Sequence, residues 1–117
     1  SLDSEKLAKK IASFENKNLK LFIQVNIGNE EQKSGISVNQ LIDFYDFCKD
    51  LKLNIVGLMC IPPIHDDSVK YFKKMLDLKQ KYNFNELSMG MSSDYLDALQ
   101  HGSTFLRIGS DIFGKRN

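Results

Sequence analysis

The chain has 117 residues, of which 42% are hydrophobic and 26% charged, a composition that favours one folded domain over two domains or global disorder. Sixteen basic and fifteen acidic residues leave a formal charge of +1, which is not the basic excess of a dedicated nucleic-acid binder. No apolar run is long enough for a membrane span, and the N-terminus lacks the basic and apolar segments of a signal peptide.

The first half of the chain begins with a helical pattern followed by an extended one. Apolar spacing predicts a helix over 4–14, with Ser4 or Asp3 as its N-cap. The run 21–27 is apolar nearly throughout, which predicts a strand covered on both faces. Residues 28–35 then break the strand.

A second helix and strand follow the same order. Ser37 is the predicted N-cap of the helix, whose apolar stripe runs through 41–48. Residues 53–60 form another apolar strand. Pro62 and Pro63 end it, because neither can donate a ladder hydrogen bond.

The last four elements continue the alternation. They are a helix from Asp66 or Asp67 to about Tyr82, a strand over 87–89, a helix capped by Ser92 or Ser93 and ended by Gly102, and a strand over 105–108.

Alternating helices and strands with short connections predict an α/β fold, with a parallel sheet and right-handed crossovers. Four strands cannot close a barrel. The chain is therefore predicted to be a small open α/β domain or half of a larger fold.

Two cysteines and two histidines offer little chemistry. Cys48 and Cys60 lack the number and spacing of a disulfide framework or zinc site, which suits a reducing cytoplasm, and both are predicted to be buried apolar fillers. His65 and His101 stand in no common motif, so no metal site is expected.

Ligands of parallel sheets gather at the carboxyl ends of the strands. The segments to inspect are 26–35, 60–65, 88–94 and 107–114. In 87–94 a strand runs through a glycine into a helix whose first turn carries hydroxyls, the pattern of an anion site. Another strand ends in Gly109 and Ser110, where a ligand oxygen can approach the backbone.

Arg107 lies on the same face of the last strand as Phe105, a face otherwise suited to burial. Because an unpaired buried guanidinium is costly, a carboxylate or a ligand should meet it. Each feature has a simpler alternative. Ser92 or Ser93 is then only an N-cap, Gly109 and Gly114 are turn glycines, and Arg107 pairs with a structural acid.

Two late segments, 87–94 (LSMGMSSD) and 106–116 (LRIGSDIFGKR), closely resemble the signature of the pyridoxal phosphate homeostasis proteins, which are single-domain relatives of the alanine racemase barrel. Segments 24–27 (QVNI), 33–36 (KSGI) and 57–63 (GLMCIPP) resemble the middle strands of that family in the same order. The resemblance covers nearly all of the chain.

The resemblance implies that residues 1–117 are a single partial domain, the C-terminal half of a (β/α)8 barrel. The family's Schiff-base lysine lies on an early strand that this sequence lacks. Lysines here, such as Lys6, Lys9 and Lys10, take helix-surface or loop positions. We therefore expect pyridoxal 5′-phosphate (PLP) to bind non-covalently at most.

The resemblance also implies a role for individual residues. The phosphate would bind the Ser92 hydroxyl, the nearby helix N-terminus, and the backbone at Gly109 and Ser110. Arg107 would face the pyridine nitrogen, by analogy with the alanine racemase barrel. The residues expected to line the same wall are Ser88, Met89 and Met91.

The function implied is that of a cytoplasmic, non-catalytic PLP carrier or regulator in vitamin B6 and amino-acid homeostasis. One rival is an amino-acid racemase, which would need a second acid or base. The other is a fragment that binds phosphorylated metabolites generally.

The expected partners are PLP or another phosphate or sulfate anion, with no nucleic acid and no membrane. A homodimer or larger assembly is also expected, because half a barrel leaves two unpaired strand edges and one uncovered inner face. Phe105, Ile23 and Val25 are expected among the exposed residues.

Overall fold

A computed structural model describes residues 1–14, 19–30, 34–63, 66–91 and 94–107, the last three without their side chains. Helices and strands alternate along these residues. In chain order they are α1 (Glu5–Ala12), β1 (Lys20–Gln24), a short 3-10 helix (Val38–Gln40), α2 (Leu41–Asp50), β2 (Asn54–Met59), α3 (Ser68–Tyr82), β3 (Glu86–Met91), α4 (Tyr95–Gln100) and β4 (Phe105–Arg107).

The four strands form one parallel sheet in the order β1-β2-β3-β4. Each crossover therefore moves one strand in the same direction. Because crossovers between parallel strands are right-handed, successive helices fall on the same face of such a sheet, as in an arc of a (β/α)8 barrel. The predicted α/β class with parallel strands is confirmed.

Alternate strand residues on one face join the helices in the hydrophobic core. Ile23, Leu58 and Leu87 are aligned across the first three strands and have no exposed surface. The helical members of this core cluster include Phe44, Phe72, Met75 and Ala98. The core thus lies between the sheet and its helices.

The opposite face is mixed in polarity. Gln24, Met59 and Ser88 form one row across the first three strands, one position away from the core row. None of these three side chains belongs to the core cluster found among the described residues. Gln24 and Ser88 are partly exposed on this face, whereas Met59 is buried.

Two details of the expected dimer surface were wrong. Ile23 and Val25 are 0% and 2% exposed, because strand alternation directs them into the core rather than onto the opposite face. The outer edge of β1 is also paired, since Leu2 and Ile36 form parallel bridges with Ile23 and Val25. Among the described residues, β4 has no strand beside its outer edge.

The helix starts test the predicted caps. The Ser4 hydroxyl accepts a hydrogen bond from the Leu7 N–H at 3.2 Å, and Asp67 Oδ1 accepts one from the Val69 N–H at 3.0 Å, which confirms both residues as caps. Ser37 precedes the 3-10 helix instead, and α2 begins only at Leu41. None of the described helices is both long enough and apolar enough to cross a membrane.

Candidate functional site

The ends of β3 and β4 lie side by side, which brings the two predicted ligand segments to one edge of the sheet. Ser88 is aligned with Phe105 and Met91 with Arg107, so three residue steps on β3 match two on β4. The extra residue is a β-bulge. The bulged segment between Ser88 and Met91 contains Gly90, whose φ of 102° is in the region that favours glycine.

The bulge decides which side chains share a face. Without it, Met89 and Met91 would lie on one face and Ser88 on the other. With it, Met91 aligns with the row of Ser88 and is 43% exposed, whereas Met89 is fully buried in the core. The structure therefore does not bring Met89 to the wall that Ser88 and Met91 share, and only its backbone lies near that wall.

Several predicted site residues lie outside the described part of the chain. These are Ser92, Gly109 and Ser110. Arg107 is described through its backbone, which pairs with Met91. The described residues thus frame the candidate phosphate site from the ends of β3 and β4.

The capping alternative for Ser92 or Ser93 was wrong, because Asp94 directly precedes α4 at its N-cap position. The Asp94 side chain accepts no hydrogen bond from the N–H groups of α4. Its Oδ1 instead accepts a hydrogen bond from the Met91 N–H at 2.7 Å. Sequence reasoning assigned Asp94 no role, although it is part of the segment 87–94 that first indicated an anion site.

A second polar region lies at the carboxyl end of β1. Gln24 and Asn26 alternate with buried apolar residues there. A cavity of about 150 Å³ is lined by Gln24, Val25, Asn26, Ser34 and Ile61. Sequence reasoning assigned none of these residues to a ligand site. The signal available was the pair of amides within an otherwise apolar run.

A titratable cluster lies at the start of α3, after the end of β2. Lys70 Nζ lies 2.9 Å from Asp66 Oδ2, and the Tyr71 hydroxyl donates to the same oxygen at 2.7 Å. These groups, with the N–H of Asp67, lower the pKa of Asp66 from 3.8 to about 2. The hydrogen bond to Asp66 also raises the pKa of Lys70 and of Tyr71.

This cluster predicts a dependence of stability on pH. Because the folded state lowers the pKa of Asp66, the carboxylate contributes fully above pH 3.8 and loses its contribution as the pH falls towards about 2. The unfolding temperature of Asp66→Ala should therefore be lower than that of the unchanged chain at pH 6, and the two temperatures should converge near pH 2. If the two unfolding temperatures differ equally at pH 6 and pH 2, the ionised Asp66 carboxylate is not the stabilising group.

The two cysteines are buried, as the sequence predicts. Cys48 and Cys60 are free and buried, and burial raises the pKa of the two thiols to about 11 and about 12. Every described lysine is exposed except Lys79, which is partly buried. Within the described ranges, no group of three potential metal ligands occurs.

Comparison with known proteins places this geometry in context. The model of the family described as alanine racemase, N-terminal domain, matches residues 1–117. The pyridoxal phosphate homeostasis protein of Aquifex aeolicus is 36% identical over 129 residues, covering 99% of this chain and 57% of the relative. The protein of the same name from Helicobacter pylori strain 26695 is 40% identical, covering 97% of this chain and 55% of the relative. The chain thus spans about half the length of these relatives.

Solved structures agree with the sequence comparison. PipY from Synechococcus elongatus PCC7942, solved without PLP, superposes with a TM-score of 0.82 at 30% identity, covering 97% of this chain and 60% of PipY. PipY with PLP bound gives a TM-score of 0.65 at 26% identity, covering 94% of this chain and 54% of PipY.

Proposed function

Because this chain belongs to the alanine racemase N-terminal domain family, we propose that it binds PLP and acts as a non-catalytic carrier or regulator in PLP homeostasis. The observation that carries the proposal is the pairing of β3 with β4. That pairing aligns Met91 with Arg107 at the carboxyl edge of the sheet, where the segments on either side carry Ser92 and Gly109. PipY, a structural relative, has been solved with PLP bound.

The residues fit the two ends of the cofactor. We assign the phosphate to the Ser92 hydroxyl and the backbone at Gly109 and Ser110, since such loops supply N–H donors after late strands of a barrel. Ser88 and Met91 flank the cofactor from their shared row, whereas Met89 contributes through its backbone alone. Arg107 faces the pyridine nitrogen.

The same residues argue against turnover. When bound, PLP supplies an electron sink, which most PLP enzymes strengthen by protonating the ring nitrogen. Arg107 donates hydrogen bonds and does not readily give up its proton, so it favours an unprotonated ring. Among the described residues no lysine is buried, and an exposed lysine lacks the desolvation that activates a Schiff-base amine. These features suit a carrier better than the alternative, an amino-acid racemase.

The proposal predicts non-covalent binding without a single preferred lysine. The chain is mixed with substoichiometric PLP and reduced with borohydride, and the labelled peptides are mapped. We expect scattered, low-level labelling, together with saturable binding of PLP measured by fluorescence. One dominant modified lysine would contradict the non-covalent site. Racemisation of alanine would favour the enzyme instead.

Competition by inorganic phosphate separates PLP recognition from general phosphate binding. If the site recognises the ring as well as the phosphate, phosphate should displace PLP only at concentrations far above that of the cofactor. Equal potency of the two ligands would favour the general binder of phosphorylated metabolites.

The domain, cellular and assembly assignments are part of the same proposal. We propose that residues 1–117 form a partial domain, the C-terminal half of a barrel, because four sequential parallel strands match an arc of that fold. Two free, buried cysteines support a location in the cytoplasm. The homodimer stays a prediction. Leu2 and Ile36 already pair with the outer edge of β1, so that edge is less available to a second copy of the chain.

A further inference from the structure

Asp94 closes the turn that follows β3. Its Oδ1 accepts a hydrogen bond from the Met91 N–H at 2.7 Å, and its own N–H donates to the Met91 carbonyl oxygen at 3.1 Å. The first and last residues of the segment 91–94 are therefore joined twice. Ser92, to which the phosphate is assigned, lies between these two residues in the sequence.

The second carboxylate oxygen joins this turn to another loop. Ser68 Oγ donates to Asp94 Oδ2 at 2.9 Å, across 26 positions of the chain. Ser68 is the first residue of α3, and Asp67 caps that helix through the Val69 N–H. One carboxylate thus connects the turn after β3 to the start of the helix that follows β2.

The geometry differs from that of an ordinary helix cap. Asp94 precedes α4, but its side chain accepts no hydrogen bond from the N–H groups of that helix. It turns back towards β3 and takes the Met91 N–H, which removes that N–H from the donors available to a ligand. Both oxygens of the carboxylate accept hydrogen bonds from the protein, which lowers the cost of placing a negative charge beside an anion site. Burial raises the pKa of the Cys60 thiol, just after β2, and the negative charge of Asp94 raises it further.

We propose that Asp94, two positions after the serine to which the phosphate is assigned, is a positioning residue for phosphate recognition, because it joins Met91, at the end of β3, to Ser68, at the start of α3. This inference rests on the proposed function. It predicts that Asp94 affects recognition of the phosphate group rather than of the pyridine ring.

The test compares two ligands that differ only by phosphate, namely pyridoxine 5′-phosphate and pyridoxine. Neither carries an aldehyde, so surface lysines cannot trap them as imines. Their affinities are measured by calorimetry for the unchanged chain, Asp94→Ala, Asp94→Asn and Ser68→Ala, with an unfolding temperature for each. Asparagine keeps an acceptor for the Met91 N–H and can donate to Ser68, so it preserves the connections while removing the charge.

We expect Asp94→Ala to weaken binding of pyridoxine 5′-phosphate roughly tenfold or more and to leave pyridoxine binding unchanged. Asp94→Asn should restore the affinity to within about threefold of the unchanged chain. Ser68→Ala, which removes one of the two connections, should fall between them. This pattern would support positioning, because a general loss of stability would weaken both ligands together.

The results that overturn the inference are distinct from those that overturn the function. If the unchanged chain binds neither pyridoxine 5′-phosphate nor PLP, the proposed function fails and the inference fails with it. If the unchanged chain binds and Asp94→Ala binds equally well, only the inference fails. It also fails if Asp94→Ala weakens both ligands equally, or if Asp94→Asn is as weak as Asp94→Ala. Should Asp94→Ala not fold, an unchanged phosphate affinity in Ser68→Ala would overturn the inference.

Discussion

Ser92→Ala is expected to weaken PLP binding by about ten- to a hundredfold. A hydrogen bond to a charged group contributes roughly 1.5 to 3 kcal/mol, and each 1.4 kcal/mol is about a tenfold change in affinity. The measurement is a fluorescence or absorbance titration with PLP. Ser93→Ala, which removes the neighbouring hydroxyl, is the matched control and should change the affinity less than threefold.

Arg107→Ala completes this experiment. Arg107 is assigned to the ring nitrogen, which is a neutral acceptor. Removing the guanidinium should therefore weaken PLP binding less than Ser92→Ala does, and it should shift the absorption spectrum of the bound cofactor. If Arg107→Ala abolished phosphate binding while Ser92→Ala had no effect, the assignment of the two roles would be wrong.

Gly57→Ala is expected to lower the free energy of unfolding by about 3 kcal/mol or more. Gly57 lies in β2 opposite Glu86 of β3, and a Cβ atom there would overlap the backbone carbonyl oxygen of Glu86 and lie 2.7 Å from its carbon. That carbonyl belongs to a paired strand, so it cannot withdraw without disturbing the sheet. For a domain of about this size, the unfolding temperature should fall by about 10 °C or more.

Gly102→Ala is the matched control for this substitution. Gly102 has a φ of 92°, and a Cβ atom there would lie 3.1 Å from the end of the Leu76 side chain. A side-chain terminus can move, so the cost is mainly the backbone penalty of about 1 to 2 kcal/mol. Equal losses in the two variants, measured by denaturant unfolding, would show that the contact with Glu86 is not decisive.

Local signals in the sequence predicted much of the fold. The caps at Ser4 and Asp67 are confirmed, because each depends on a side chain and an N–H only two or three residues away. The apolar runs 21–27 and 53–60 contain β1 and β2 almost entirely. The family predicted from the late motifs is also confirmed, since the family model matches residues 1–117.

The arrangement of the site needed the tertiary structure. Simple alternation along 87–91 sets Ser88 apart from Met91. Gly90 is a residue type common at bulges, but only the pairing with β4 shows that a bulge brings Met91 onto the row of Ser88. The outer edge of β1 was predicted to be open, but Leu2 and Ile36 pair with it from outside the strand. Both features depend on register between distant segments.

The sequence by itself determined the alternation of helices and strands, the buried cysteines and the family, because periodicity, capping and motif are properties of neighbouring residues. Only the tertiary structure decided which strand residues face the core, where Met91 is aligned, and that Asp94 joins Ser68. Ser68 and Asp94 are separated by 26 positions. A hydrogen bond between them requires β3 to lie beside β2 and α3 to pack on the sheet, so local sequence preferences do not specify it.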